Sequence, residues 1–170
     1  MIEGYGMILG IMADTHDRLP LIDRAVRKFN ERGVDRVLHA GDFIAPFVVS
    51  HFKPLESKLI GVFGNNDAEL ELLKRKFAEM DSEIRGRFGE INIEALKIAM
   101  LHGEEEELLK SLINAGSYNI IVHGHTHKAE TYKKGGTIII NPGETCGYLT
   151  GEPTIAVLDT KTLEVEKIHL

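Results

Sequence analysis

Three of the chain's eight histidines crowd into one pentapeptide, His123-Gly124-His125-Thr126-His127, directly after the apolar run Ile120-Ile121-Val122. Imidazole is the commonest metal ligand among side chains, and a glycine beneath it lets the backbone turn tightly. A buried strand ending this way suits metal binding better than packing. Other candidate ligands follow other apolar runs. The run 7–13 leads into Asp14-Thr15-His16, and Val37-Leu38 leads through His39-Ala40 into Gly41-Asp42. The run 59–63 is closed by Gly64-Asn65-Asn66-Asp67, and the run 96–101 by His102-Gly103. In open α/β sheets ligands bind beyond the carboxyl ends of the strands, so residues far apart in sequence converge there.

Carboxylates, an amide oxygen and imidazoles make a mixed oxygen and nitrogen set without thiolate. Such a set suits Mn²⁺, Ni²⁺, Fe or Zn²⁺ better than copper or a closed structural zinc site. Asp14, His16, Asp42, Asn65, His102, His125 and His127 are too many for one tetrahedral ion, but they fit two ions if one carboxylate is shared. Two ions ~3.5–4 Å apart can hold a hydroxide between them and clamp the attacking and leaving oxygens of an in-line phosphoryl displacement. The reaction class this points to is hydrolysis of a phosphate ester.

These residues need a frame, and the hydrophobic pattern describes one. After Pro20, Leu21, Ile22, Ala25, Val26 and Phe29 recur at helical spacing until Gly33. Residues 46–52 predict a shorter helix, and Leu70, Leu72, Leu73, Phe77 and Met80 mark a third. Leu108, Leu109, Leu112 and Ile113 mark a fourth, ending near Gly116. Strand and helix therefore alternate through residue 123, as in βαβ units. Residues 88–100 predict two strands joined by a tight turn near Glu94-Ala95. After residue 128 the pattern is β only, with a hairpin turning at Gly135-Gly136 and another formed by 154–159 and 163–169. The expected architecture is a mixed sheet packed on a more antiparallel one, with helices outside.

At 170 residues the chain is expected to form one domain, residues 1–170, with 1–6 as a short N-terminal extension too polar for a signal peptide. No apolar run reaches transmembrane length. A single cysteine, Cys146, excludes an intramolecular disulfide and points to the cytoplasm. The net charge of −6 argues against nonspecific binding along a nucleic-acid backbone.

The ordered series Asp14-Thr15-His16, Gly41-Asp42, Gly64-Asn65-Asn66-Asp67, His102 and Gly124-His125-Thr126-His127 resembles the calcineurin-like metallophosphoesterases. Within them the chain is similar to the small single-domain bacterial and archaeal phosphodiesterases, which Asn141-Pro142-Gly143 and Gly147-Tyr148-Leu149-Thr150-Gly151 also resemble. The resemblance implies two packed mixed β-sheets flanked by helices, a four-layer αββα sandwich. It also implies two divalent ions, Mn or Ni before Fe or Zn. Asp14, His16, Asp42 and His127 would hold the first ion. Asp42 as bridge, Asn65, His102 and His125 would hold the second. The implied enzyme is a cytoplasmic phosphodiesterase in which a metal-bridging hydroxide attacks phosphorus, with Asn66, Asp42 and Asn65 as the catalytic residues. A nuclease with the same chemistry is one alternative. Another is a non-catalytic protein-interaction module, like the metallophosphoesterase-like subunit of the eukaryotic retromer.

Two positions depart from the family pattern. Many members carry a histidine where this chain has Asn66, and a neutral amide cannot supply a proton to a leaving group by titrating. A small phosphodiester or activated ester is then the expected substrate, with Asn66 hydrogen-bonding phosphate. Glu104 stands where relatives often have histidine, and it is expected to point away from an anionic substrate. His39 and His123 lie beside ligands, either supporting them or contacting phosphate, or as core histidines with satisfied nitrogens. Asn141-Pro142-Gly143 is read as a turn bringing Gly143 toward the site, and Asp67 as the cap of the following helix. The run Glu104–Glu107 suits a helix N-terminus, His51 and His169 are read as ordinary, and Cys146 as a bystander. Exposed edges in the β-rich C-terminal half make a homodimer a further expectation.

Overall fold

The computed structural model describes residues 6–170. In chain order its elements are β1 (Ile8–Met12), α1 (Leu19–Glu31), β2 (Arg36–His39), a 3-10 helix (Pro46–Phe52), β3 (Lys58–Gly61), α2 (Leu70–Ala78) and β4 (Glu83–Ile84). They continue as β5 (Phe88–Ile93), β6 (Leu96–Leu101), α3 (Glu106–Ala115), β7 (Ile120–Val122), β8 (Ala129–Lys134), β9 (Thr137–Pro142), β10 (Thr154–Asp159) and β11 (Val165–His169). The first sheet has the order β11-β10-β1-β2-β3-β4 and the second β5-β6-β7-β9-β8.

Three apolar layers hold these elements together. The inner stripes of α1 and α2, with Ile22, Val26, Phe29, Leu73 and Phe77, pack with Phe52 on the outer face of the first sheet through Met12, Val37 and Leu59. Between the sheets, Leu9, Ile11, Leu38 and Ile60 meet Met100, Ile120, Val122, Ile138 and Ile140. On the far side Ile113 of α3 covers Ala99, Leu101, Ile121 and Ile139. The result is the α/β/β/α sandwich of two mixed sheets that the resemblance implies. A strand buried on both faces needs apolar residues at successive positions, which is why β1, β6 and β7 read as continuous runs rather than alternating ones.

The structure corrects several expectations. The second sheet is only slightly the more antiparallel, with two antiparallel pairings of four against two of five in the first, because β7 lies parallel to both β6 and β9, with α3 as the crossover from β6. The segment 46–52 forms a 3-10 helix. The two-residue β4 carries no readable period. The ligand-bearing runs do not share one sheet. Those ending in Asp14, Asp42 and the 64–67 loop are β1, β2 and β3 of the first, whereas β6 and β7 of the second lead into His102 and the histidine pentapeptide. Convergence therefore occurs across the carboxyl edges of two packed sheets. Residues 1–5 of the expected N-terminal extension lie outside the described residues.

Candidate metal centre

At the ends of these strands the chain turns at once, in a conformation few side chains accept. Asp14 (φ 50°), His16 (φ 45°), Asp42 (φ 62°), His125 (φ 67°) and His127 (φ 62°) all occupy the left-handed region. Such residues cost of order 1–3 kcal/mol each and persist only where their surroundings fix them. Here the fixing bonds run between loops: Asp14 N–H donates to Gly41 C=O at 3.0 Å, His16 N–H to Asp42 C=O at 2.9 Å and Gly124 N–H to His102 C=O at 2.9 Å. Gly124 sits where the two sheets' loops meet. A β-carbon there would lie 2.7 Å from Asp14 Oδ2 and 2.8 Å from Ala13 Cβ.

The side chains converge on two buried carboxylates. His102 Nε2 lies 3.3 Å from Asp42 Oδ2 and 3.8 Å from Asp14 Oδ1. His127 Nε2 is 3.5 Å from Asp14 Oδ1, and His16 Nε2 is 3.7 Å from Asp42 Oδ2. His125 donates its backbone N–H to Asp14 Oδ2 at 3.1 Å and sets its ring edge-on to His102, centroids 5.2 Å apart. Asp14 Oδ1, His16 Nε2 and His102 Nε2 are buried without a hydrogen-bond partner. Unpaired buried polar atoms are costly, and carboxylate and imidazole atoms that face one another are the arrangement a cation relieves. The donor set of Asp14, His16 and Asp42, with ligand atoms within 4.8 Å of one another, fits a divalent ion.

The charges agree with this. Burial pushes the Asp14 carboxyl up to about 6 against the pull of His102 and His127. Burial would also raise Asp42, but His102 and the Asn66 donors outweigh it and hold the carboxyl well below the usual range. The His102 imidazole, which burial alone would lower, is pushed up to about 9 by Asp42 and Asp14. His16 and His125 are lowered, first by burial, and offer neutral imidazoles. The centre attracts positive charge.

The loop after β3 is less simple. Asn66, not Asn65, meets the central carboxylate: its N–H donates to Asp42 Oδ1 at 2.9 Å and its Nδ2 to Oδ2 at 2.8 Å. Asn65 is exposed, and its side chain makes no hydrogen bond among the described residues. Asp67 does not cap α2, whose N-cap is Glu69 with no side-chain bond. It instead takes the N–H groups of Gly64 (2.7 Å), Ile44 (2.7 Å) and Asp42 (3.2 Å), joining the loops after β2 and β3.

Around the centre, His39 is fully buried, with Nε2 3.0 Å from Thr15 Oγ1 and Nδ1 accepting from Gly41 N–H at 3.1 Å. Its ring stacks on Phe43 at 3.7 Å, so it supports the ligand loops and offers no free nitrogen to phosphate. His123 is buried, with Nδ1 3.2 Å from Gly124 C=O. Gly143 turns onto Thr154 and Ala129 rather than toward the carboxylates. Asn141 is the residue of that turn that reaches the pentapeptide, donating to Gly124 C=O at 3.0 Å and Thr126 Oγ1 at 2.9 Å. Glu104 pairs with Arg87 at 3.2 Å. Glu106 and Glu107 occupy the first turn of α3, as the acidic run suggests.

Sequence reading missed Glu144 altogether. It is fully buried, and its Oε2 lies 2.6 Å from His127 Nδ1. Burial would raise this carboxyl, but bonds from His127, Thr150 and Leu149 bring it down to about 2. Cys146 is no bystander either, since its buried thiol donates to Glu144 Oε2 at 3.4 Å and its sulfur groups with ligand atoms of His16 and His127. A single carboxylate after an Asn-Pro-Gly turn carries no spacing that marks it.

A two-sheet α/β sandwich with a buried carboxylate and imidazole centre at its strand ends defines a class of metal-site proteins. The family model of the calcineurin-like phosphoesterase superfamily domain matches residues 7–163. The chain is 41% identical over 165 residues to "Phosphodiesterase MJ0936" of Methanocaldococcus jannaschii, covering 96% of this chain and 99% of that protein. It is 25% identical over 175 residues to "Phosphodiesterase YfcE" of Escherichia coli, covering 94% and 91% of the two chains. A solved structure described as a novel archaeal phosphodiesterase superposes with a TM-score of 0.93 at 40% identity, over 96% of this chain and all (100%) of that one. Zinc-complexed Vps29 of Entamoeba histolytica shares the fold, with a TM-score of 0.68 at 21% identity over 96% and 98% of the chains. The chain belongs to the calcineurin-like phosphoesterase superfamily, and it is an enzyme of the phosphoesterase class.

Proposed function

We propose that the protein is a phosphodiesterase that works with two divalent ions. The observation carrying this reading is the set of buried, unpartnered atoms Asp14 Oδ1, His16 Nε2 and His102 Nε2, facing one another around Asp42. Such a set favours a catalytic centre over a non-catalytic interaction module, and the names of the relatives point to diesters. Asp14, His16, Asp42 and His127 would hold one ion, and Asp42, Asn65, His102 and His125 would hold the other. When bound, the ions supply a nucleophile at neutral pH and positive charge for the phosphoryl oxygens. The oxygen and nitrogen donors suit Mn²⁺ or Ni²⁺.

The chain's own residues shape the rest. Asp42 is kept ionised by its donors, and the Asn66 amide, bonded to Asp42, cannot protonate a leaving group. Esters whose leaving group departs without a proton are therefore favoured, which selects aryl and other activated esters over alkyl ones, while the preference for diesters follows the relatives. Among the described residues no helix is long and apolar enough to cross a membrane. The test is metal analysis of the purified protein, followed by hydrolysis of bis-p-nitrophenyl phosphate and p-nitrophenyl phosphate with Mn²⁺ or Ni²⁺. Faster turnover of the monoester would overturn the diester preference, and no turnover of either ester in any metal would overturn the enzyme reading.

A further inference from the structure

We propose that Glu144 is a positioning residue that fixes His127 as a metal ligand and ties the adjoining loop, Gly147 to Gly151, to that ligand. The inference rests on the metal-centre reading above and names a residue outside the proposed ligand set. The Glu144 carboxylate is fully buried, yet among the described residues it forms no ion pair with Lys or Arg. Its charge is taken up by donors instead. Oε2 faces His127 Nδ1 at 2.6 Å and the Cys146 thiol at 3.4 Å, while Oε1 accepts the Leu149 N–H at 3.0 Å and the Thr150 N–H and hydroxyl, the last at 2.7 Å.

An ionised carboxylate only accepts hydrogen bonds, so the proton of a neutral His127 must sit on Nδ1. Its Nε2 then carries a lone pair, and that is the atom 3.5 Å from Asp14 Oδ1. His102 is held differently. Its Nδ1 is bonded to a neutral backbone acceptor, Ala40 C=O, at 2.7 Å. A carboxylate behind an imidazole both orients the ring and raises its donor strength more than a carbonyl does, and losing such a partner typically weakens metal binding ~10–100-fold. The two halves of the centre are therefore built unequally, and Glu144 strengthens the half that contains His127.

The same carboxylate places the loop beside that half. With Leu149 and Thr150 anchored, the Tyr148 ring stands 6.0 Å from the His16 ring, its hydroxyl 3.1 Å from Asp17 Oδ1 and the Arg18 guanidinium 5.3 Å over its face. One buried side chain thus sets a ligand and the wall next to it.

Two measurements on the full chain test this. Long-range ¹H–¹⁵N NMR of the histidine rings should report the Nδ1–H tautomer for His127 in the metal-free protein, and an Nε2–H tautomer would overturn the proposal. Calorimetric titration of Mn²⁺ should give two binding events in the wild type. Glu144→Ala should weaken one of them about 10–100-fold and leave the other unchanged, with Glu144→Gln intermediate. Both events unchanged, or both weakened alike with a lower melting temperature of the metal-free protein, would mark Glu144 as merely structural and overturn the role. If Glu144→Ala does not fold, Glu144→Gln carries the same comparison. A single event in the wild type would sink the two-ion reading alone, and its weakening in the Glu144 variants would still support the role of Glu144.

Discussion

Gly64→Ala tests how closely the loop after β3 is fitted to the central carboxylate. The backbone of Gly64 is not in the left-handed region, so alanine is conformationally acceptable there and any effect is one of space. The new methyl group would stand 2.1 Å from Asp42 Oδ1 and 2.6 Å from Asp42 N. Ordinary contact begins at 3.4 Å, so the carboxylate oxygen must retreat by 3.4 − 2.1 = 1.3 Å. That oxygen accepts the Asn66 N–H at 2.9 Å, and the retreat breaks the bond. Overpacking of this kind costs about 1–3 kcal/mol, which for a chain of this length lowers Tm by about 2–12 °C. Displacing a catalytic group by ~1 Å costs on the order of 10²-fold in rate. Thermal melts and hydrolysis of bis-p-nitrophenyl phosphate read the two effects separately. Gly136→Ala, whose added carbon meets nothing within 4 Å, is the control. Turnover of Gly64→Ala within about threefold of wild type would refute the role assigned to Asp42 and the loop packed against it.

Other outcomes follow from the same geometry. His127→Ala should lose one ion and hydrolysis, whereas His123→Ala, whose ring packs against Gly124 C=O, should keep both ions by metal analysis. Asn66→His should raise turnover of an alkyl monoester such as glycerol phosphate relative to p-nitrophenyl phosphate, because a titrating group can then protonate a leaving group that departs poorly without one; an unchanged ratio would remove Asn66 from leaving-group selection. In metal-free protein the Glu144 carboxyl, held at about 2 against an ordinary 4.5, contributes stability that is present above pH 4.5 and is lost as pH falls toward 2. That contribution is on the order of 3 kcal/mol, and Glu144→Gln should lack this acid limb in urea melts. The sign reverses for His102, pushed up from 6.5 to about 9: its contribution is complete below pH 6.5 and disappears as pH rises through 9, so His102→Gln should flatten the alkaline limb.

The chemistry-bearing residues were legible in the linear chain because each ligand type follows an apolar run, and buried strands need such runs whatever their partners. The α1 stripe Leu21, Ile22, Ala25, Val26 and Phe29 was legible for the same reason, and all of it is buried. Asp67 and Glu144 were not. Both are carboxylates that collect N–H groups from segments distant in sequence, and no local spacing records such partners. The assignment of β6 and β7 to a second sheet was likewise hidden, since parallel neighbours in one sheet and strands in two packed sheets bury the same apolar surface.

The sequence by itself determined the donor set, its order and its place at strand ends, because these follow from residue type and from short-range hydrophobic pattern. Only the tertiary structure decided that the donors meet across two sheets, that Asn66 rather than Asn65 rests on Asp42, and that a buried glutamate stands behind His127. Those facts depend on which loops pack together, and packing is a property of the folded whole.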